Sequence, residues 1–283
     1  MPYDFMNITQ WGVQLTSRQR MLLAGPCSAE TEEQVLATAR ALPKEQIAFL
    51  RAGVWKPRTR PGTFEGAGEK AFAWLNRAKA ETGIPFAVEV ANAKHVKLAL
   101  AHGVDAIWIG ARTTVTPFAV QEIADAIHGM DIPVFVKNPV NPDLELWIGA
   151  IERIAQAGVK RVAAILRGCS GIASGKYRNA PAWNLAIELK RRLPSLPCLC
   201  DPSHIAGAAA LVQEIAQQAM NLDFQGLMIE THIQPSAALS DSKQQLTPEQ
   251  LRMLMQKLVL RDRTSENPEG QLKLDELRLA IDQ

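Results

Sequence analysis

The chain has 283 residues, of which 47% are hydrophobic and 21% are charged, and its formal net charge is +2. This length allows one large domain with a substantial core, and so small a net charge gives no reason to expect nucleic-acid binding. The sequence predicts no secretory signal at its amino terminus and no segment apolar enough to cross a membrane. Its four cysteines lack the spacing of a disulfide framework, so we expect a reduced, cytoplasmic protein.

Eight short apolar runs recur along the chain, separated by longer segments with helical periodicity. We interpret the runs as strands at 21–26, 47–53, 85–90, 106–111, 133–138, 161–168, 197–202 and 226–231. Eight such strand–helix units predict an α/β fold, a TIM (β/α)8 barrel, and a doubly wound open sheet is the alternative. The predicted organisation is a short N-terminal extension (1–20), the barrel (21–261), a polar linker (262–271) and a C-terminal helical stub (272–283).

Every predicted strand ends in a charged or metal-binding side chain, and active sites of TIM barrels lie at this end. In chain order these residues are Cys27, Arg51 with Lys56 and Arg58, Glu89, Arg112, Lys137, Arg167, His204 and Glu230. Isolated surface charges are the alternative explanation. Eight strand ends that converge on one rim predict a common site instead.

Cations form the larger part of this set: Arg51, Lys56, Arg58, Arg112, Lys137 and Arg167. Guanidinium groups match phosphate and carboxylate with two hydrogen bonds, and lysine adds a compact charge. Gly110 and Gly168 stand beside two of the arginines and would let ligand oxygens approach the backbone. The pattern predicts binding of a strongly anionic ligand, although each arginine taken alone is equally suited to pairing with a structural carboxylate.

A second group combines sulfur, nitrogen and oxygen donors: Cys27, His204, Glu230 and Asp241, with His232 nearby. Such a mixed set suits a divalent transition metal. In a closed barrel the first and seventh strands flank the eighth, which would bring these residues together. A buried cysteine that only packs in the core is the alternative.

Three smaller patterns give further expectations. Cys198 and Cys200 should point to one face of a strand and pack there, and Lys137 at a strand end leaves open a Schiff-base aldolase. Thr247, Pro248 and Gln250 predict a helix start with an N-cap, proline at the first position and a capping-box partner.

Several motifs together resemble the DAHP (3-deoxy-D-arabino-heptulosonate 7-phosphate) synthase family, in the branch related to KDO8P (3-deoxy-octulosonate 8-phosphate) synthases. They are AGPCSAE (24–30), KPRT (56–59) followed by FEG (64–66), IGAR (109–112), VKNP (136–139), LRG (166–168), DPSH (201–204), MIETH (228–232) and ALSDSKQQL (238–246). The resemblance implies condensation of phosphoenolpyruvate with erythrose 4-phosphate, the first step of the shikimate pathway. It also implies a divalent metal, Mn²⁺ first and Fe²⁺, Co²⁺ or Zn²⁺ as alternatives, and a homodimer or homotetramer.

The resemblance also implies roles for individual residues. It assigns the metal to Cys27, His204, Glu230 and Asp241. Lys56, Glu89 and metal-bound water are the candidates for proton transfer, and Lys56, Glu89 and His204 are the predicted catalytic residues. The resemblance assigns phosphoenolpyruvate to Arg51, Lys56, Arg112, Lys137 and Arg167 with the backbone of Gly110 and Ala111, and the aldose phosphate to Arg58 and Thr59.

The nearest alternatives are a KDO8P synthase, which would use arabinose 5-phosphate, and a non-catalytic anion-binding barrel that serves a partner domain. KDO8P synthases carry KANRS where this chain has KPRT, and metal-independent members place Asn at the position of Cys27. The chain departs from the family at Arg60, where Ser is usual, and at RGCSGIAS (167–174).

The C-terminal stub, with Leu274, Leu277, Arg278 and Ile281, resembles the first helix of an AroQ-type chorismate mutase. This resemblance implies a fused mutase domain, and a simple surface helix is the alternative.

Overall fold

The computed structural model describes residues 3–56, 62–171 and 175–260. Within them, eight parallel strands close into a barrel in sequence order, with β1 paired to both β2 and β8. The strands are β1 (Met21–Gly25), β2 (Phe49–Arg51), β3 (Phe86–Val90), β4 (Ala106–Ile109), β5 (Val134–Lys137), β6 (Val162–Leu166), β7 (Cys198–Cys200) and β8 (Gly226–Glu230). The predicted TIM barrel is confirmed, and the open-sheet alternative is wrong.

Helices follow the strands and cover the barrel. They are α1 (Glu32–Ala41), α2 (Ala71–Thr82), α3 (Ala93–Ala101), α4 (Ala111–Thr114), α5 (Pro117–Ala126), α6 (Leu144–Gln156), α7 (Trp183–Arg192), α8 (Pro202–Ala206), α9 (Ala209–Asn221) and α10 (Pro248–Lys257). Thr247 caps α10, forms the capping box with Gln250 and precedes Pro248 at the first helical position, as the sequence predicts. Among the described residues, no helix is long and apolar enough to cross a membrane.

Alternate residues of each strand face two different cores. Leu22, Val88 and Cys198 belong to the layer between the strands and the helices, whereas Leu23 and Phe135 belong to the cluster inside the barrel. All residues of the strands are buried except the partly exposed Glu89. Such two-sided burial is what a parallel sheet under helices requires.

The segment before β1, residues 6–15, packs into the amino-terminal end of the barrel, and we call it the amino-terminal plug. Ile8 and Trp11 are buried in the inner cluster, and the Trp11 indole lies 5.6 Å from the ring of Phe135. The backbone N–H of Met6 donates to the carbonyl of Lys160, just before β6, at 3.0 Å. The plug therefore closes the face opposite the carboxyl ends of the strands.

Several sequence predictions lie outside the described residues. These are the roles of Arg58 and Thr59, the linker at 262–271 and the helical stub at 272–283. The proposed domain boundaries accordingly stay predictions.

Candidate active site

The barrel brings the predicted site residues within the described part of the chain to the carboxyl ends of the strands. Arg51, Lys137 and Glu230 are the last residues of β2, β5 and β8, and Glu89 is the second-to-last residue of β3. Most of the others follow their strands within a few residues: Cys27, Gly110, Ala111, Arg112, Arg167 and His204. Lys56 and Asp241 lie farther along the loops after β2 and β8. In a TIM barrel this rim is where substrates bind.

Three of the four predicted metal ligands form a tight cluster. One ligand atom each of Cys27, Glu230 and Asp241 lies within 4.8 Å of the other two. The Cys27 Sγ is 3.4 Å from Asp241 Oδ2. His204 stands at the edge of the cluster, with its Nε2 3.8 Å from Glu230 Oε1. His232 does not join them, because its Nδ1 accepts from the backbone of Gln234 and its Nε2 is 4.0 Å from Glu30.

The chemistry of this cluster fits a divalent metal ion. Glu230 is fully buried, and its Oε1 accepts no hydrogen bond from any residue that the structure describes. Burial raises the pKa of the Cys27 thiol to about 12 and lowers the pKa of His204, which keeps the imidazole neutral. A buried sulfur, a neutral imidazole and two carboxylates, one with an unfilled oxygen, are a donor set that a cation would satisfy.

A buried arginine lies directly beside this cluster. Arg51 is 1% exposed, and its Nη2 is 3.4 Å from Glu230 Oε1. Its Nε and Nη1 have no hydrogen-bond partner within 3–56, 62–171 and 175–260. Its guanidinium carbon lies 5.0 Å above the Trp108 ring, which fixes the plane of the side chain. Two unfilled donors on a buried cation mark a place for an anion, since leaving them unpaired is costly.

The other cations surround this position with different degrees of burial. Lys56 is partly buried, and its Nζ donates to the carbonyl of Cys27 at 2.8 Å. Lys137 and Arg167 are buried, and Arg167 Nη1 donates to the Gly168 carbonyl at 3.2 Å. Arg112 is exposed on α4 and lies close enough to Arg167 to lower its pKa, although burial is the larger cause.

Glu89, near the end of β3, contacts the same Trp108 side chain as Arg51. Trp108 Nε1 donates to Glu89 Oε2 at 3.0 Å, so one indole orients both this carboxylate and Arg51. A Cβ added at Gly110 would lie 2.1 Å from Glu89 Oε1. The glycine of IGAR therefore leaves room for the Glu89 carboxylate, which a side chain at this position would displace.

Asp201 belongs to the DPSH motif, but the sequence predicts no role for it. Asp201 is fully buried, and its Oδ2 accepts from Lys137 Nζ at 2.7 Å. Its Oδ1 accepts from the backbone N–H of His204 at 3.0 Å, and its Oδ2 lies 2.8 Å from His204 Nδ1, off the line of a ring N–H hydrogen bond. The sequence signal that could have identified Asp201 is its position: it directly follows β7 and is the N-cap of α8, which carries the predicted ligand His204.

This geometry defines a class: a (β/α)8 barrel whose mouth combines buried cations with a sulfur–carboxylate cluster. The chain belongs to the DAHP synthetase I family, whose model matches residues 9–264. Family membership gives the chain the family's reaction, the metal-dependent condensation of phosphoenolpyruvate with erythrose 4-phosphate to DAHP. The resemblance drawn from the motifs is thereby confirmed, whereas the chorismate mutase resemblance stays a prediction.

Individual relatives agree with the family assignment. The chain is 32% identical over 237 residues to a phospho-2-dehydro-3-deoxyheptonate aldolase of Thermotoga maritima, a match that covers 84% of this chain and 68% of that protein. It is 25% identical over 269 residues to a 2-dehydro-3-deoxyphosphooctonate aldolase of Methylococcus capsulatus, covering 86% and 89%.

Solved structures lead to the same family. A crystal structure of the DAHP synthase of Thermotoga maritima aligns with a TM-score of 0.78 at 29% identity, covering 89% of this chain and 71% of that one. A truncated form of the 3-deoxy-D-arabino-heptulosonate 7-phosphate synthase of the same organism aligns with a TM-score of 0.76 at 27% identity, covering 90% of both chains.

Proposed function

We propose that the mouth of the barrel binds phosphoenolpyruvate on its buried cations and holds erythrose 4-phosphate beside them for attack. The observation that supports this most strongly is the pair of unfilled Arg51 donors next to the Cys27–Glu230–Asp241 cluster. Arg51, Lys56, Lys137 and Arg167 are the proposed ligands of phosphoenolpyruvate, with Arg112 closing over it together with the backbone of Gly110 and Ala111. Arg58 and Thr59 are the proposed ligands of the aldose phosphate, on sequence grounds.

We propose Cys27, His204, Glu230 and Asp241 as ligands of a divalent ion, Mn²⁺ first and Fe²⁺, Co²⁺ or Zn²⁺ as alternatives. When bound, such an ion supplies a Lewis acid that polarises the aldehyde of erythrose 4-phosphate. The ligands suit this task because sulfur and imidazole donors accept transition metals, and the two carboxylates offset the charge of the ion.

The residues of the chain supply orientation and proton transfer. The cations hold C3 of phosphoenolpyruvate against the aldehyde carbon, and such positioning can contribute roughly 7–11 kcal/mol. As the carbon–carbon bond forms, positive charge develops at C2, water adds there, and phosphate leaves with cleavage of the C–O bond. Lys56 Nζ and the Glu89 carboxylate are the proposed groups that exchange protons with the alkoxide and with the attacking water.

A turnover assay tests this function directly. Phosphate release from phosphoenolpyruvate should require erythrose 4-phosphate and added Mn²⁺, and it should be lost in Cys27→Ala at every metal concentration. Full activity after exhaustive chelation would contradict the metal assignment. Preference for arabinose 5-phosphate would favour a KDO8P synthase instead, and the KPRT motif together with 32% identity to the Thermotoga maritima relative, against 25% to the phosphooctonate aldolase, speaks against it.

Two other outcomes separate the remaining alternatives. Borohydride trapping of a substrate on Lys137 or Lys56 would indicate a Schiff-base aldolase. Binding of phosphoenolpyruvate without turnover under any metal condition would indicate a non-catalytic anion-binding barrel.

Assembly and fusion are separate proposals that rest on resemblance. We propose a homodimer or homotetramer, which light scattering on the purified chain would test. We also propose that residues 272–283 begin a chorismate mutase domain, and a longer native chain with mutase activity would support this.

A further inference from the structure

The loop between β6 and α7 contacts the loop between β8 and α10, residues 231–247, which we call the metal loop, through one arginine. Arg178 Nη1 donates to Asp241 Oδ1 at 3.0 Å and to Gln244 Oε1 at 2.7 Å. Gln244 Nε2 in turn donates to Glu230 Oε2 at 2.6 Å. Arg178 therefore reaches one proposed metal ligand directly and a second one through the Gln244 amide.

The hydrogen-bond chemistry of these groups fixes the orientation of Gln244. A guanidinium group can only donate, so the side-chain oxygen of Gln244 must face Arg178. Its NH₂ group then faces Glu230, where it meets an acceptor. Without Arg178 the amide would lose the partner that specifies this orientation.

Asp241 and Glu230 are consequently each held through one carboxylate oxygen, and the other oxygen of each faces the cluster. Asp241 Oδ1 is engaged by Arg178, while its Oδ2 lies 3.4 Å from Cys27 Sγ. Glu230 Oε2 is engaged by Gln244, while its Oε1 is buried and accepts no hydrogen bond from the described residues. The second oxygen of each carboxylate lies in the cluster: Asp241 Oδ2 accepts from the Cys27 thiol, and Glu230 Oε1 has no hydrogen-bond donor among the described residues.

Arg178 itself is placed by contacts that do not involve the cluster. Its backbone N–H donates to the Ile205 carbonyl at 3.1 Å, and a Cβ added at Gly207 would lie 2.3 Å from the Arg178 Cβ. The neighbouring Asn179 donates from Nδ2 to the carbonyl of His204 at 2.6 Å. Residues 178 and 179 thus contact the elements that carry two of the four proposed ligands, His204 and Asp241.

We propose that Arg178 and Gln244 are positioning residues for the metal site, which aim one oxygen each of Asp241 and Glu230 at the ion. This inference rests on the proposed function, and neither residue is assigned a contact with substrate. An ordinary surface ion pair is the simpler explanation, because the Arg178 side chain is 45% exposed and such pairs contribute little to stability. The two explanations differ in what happens to metal affinity.

The test measures Co²⁺ binding to the metal-stripped full chain by competition with a chromophoric chelator, beside the thermal midpoint. We expect Arg178→Met to bind Co²⁺ about 10- to 100-fold more weakly, the usual cost of losing a partner of a metal ligand. Gln244→Met should weaken Co²⁺ binding similarly. The fold-loss of affinity in the double variant should be smaller than the product of the two single fold-losses, since Arg178 acts partly through Gln244. Arg178→Lys, which keeps a donor, should recover part of the affinity, and saturating metal should restore most of the turnover.

Lys176→Met is the matched control in the same loop. Lys176 Nζ pairs with Glu214 Oε2 on α9 at 2.7 Å. The Co²⁺ dissociation constant of the Lys176→Met variant should equal that of the parent. Equal Co²⁺ dissociation constants for Arg178→Met and the parent would overturn this inference alone, and so would an equal loss of Co²⁺ affinity in Lys176→Met. A parent chain that binds no metal would overturn the metal assignment and this inference with it.

Discussion

The ammonium group of Lys137 lies 2.7 Å from the carboxylate of Asp201, and both side chains are buried. Burial opposes ionisation of Asp201, but its interactions with His204 and Lys137 outweigh burial and hold the pKa of the carboxyl well below its usual range. Asp201 therefore joins the proposed anion site, through Lys137, to the proposed metal site, through His204. The Asp201 carboxylate therefore fixes the position of the proposed anion site relative to the proposed metal site.

Replacing this carboxylate should cost both stability and activity. Asp201→Asn leaves the Lys137 ammonium buried without its counter-charge, and breaking such a pair from one side typically costs about 3–5 kcal/mol. We expect urea unfolding to show a loss of this size and kcat/KM for phosphoenolpyruvate to fall. Added phosphoenolpyruvate should raise the thermal midpoint more than in the parent, since it gives Lys137 a new partner.

The control for Asp201→Asn is Glu249→Gln, which breaks the exposed pair with Arg252. That change should alter stability by at most about 1 kcal/mol. If Asp201→Asn behaved like the control, the buried pair would have no positioning role.

Arg51 offers a second prediction, because its Nε and Nη1 have no partner among the described residues. Arg51→Lys keeps the charge but loses the planar fork and the stacking on Trp108. The loss of one charge-assisted hydrogen bond, at about 1.5–3 kcal/mol, corresponds to a roughly 10- to 100-fold weaker binding of phosphoenolpyruvate. Calorimetric titration measures this, with Arg40→Lys at an exposed ion pair with Glu81 as the control. Unchanged affinity would show that the anion binds elsewhere.

The sequence was sufficient to predict the barrel and the rim, for a physical reason. Strands of a parallel barrel are buried on both faces, so a charged residue such as Arg51 or Glu230 at the end of an apolar run stands out. Contacts between distant segments leave no comparable local pattern. Arg178 and Asp241 are 63 residues apart, and only the fold shows that they touch.

The amino-terminal plug was missed for a related reason. Ile8 and Trp11 are buried, but they lie in a short irregular segment without a strand or α-helical period. Their burial depends on an opening that exists only after the barrel closes. The sequence alone therefore indicated only a short extension.

The plug leads to a stability prediction that separates it from the active site. Trp11→Ala removes a buried indole from the inner core and should lower the free energy of unfolding by about 3–5 kcal/mol. The kcat of the remaining folded enzyme should stay near that of the parent, since the plug lies at the opposite end of the barrel. Gln14→Ala, at an exposed plug position, is the control for urea unfolding. A large loss of kcat in Trp11→Ala would show that the two ends are coupled.

Glu188 on α7 gives a prediction about pH. Hydrogen bonds from Arg191 and Arg192 hold the pKa of Glu188 at about 2. Because this pKa is lower in the folded chain, the carboxylate stabilises the fold above its ordinary pKa of 4.5, and this contribution is lost as the pH falls towards 2. Glu188→Gln should therefore cost about 1 kcal/mol at pH 7, a value reduced for solvent screening, and progressively less between pH 5 and pH 3.

Urea unfolding of both proteins at several pH values measures this difference. A gap that stays constant from pH 7 to pH 3 would show that packing, and not the charge of Glu188, explains the cost of the substitution.

The first described residues leave the barrel on the side away from its mouth. Ser195, just before β7, donates from its hydroxyl to the Tyr3 carbonyl at 3.1 Å, and Met6 is bonded beside β6. A solid support coupled to this end would hold the catalyst with its opening towards the solution, free for diffusion of sugar phosphates. Coupling through the exposed Leu239, on the loop that carries Asp241, would crowd that opening instead.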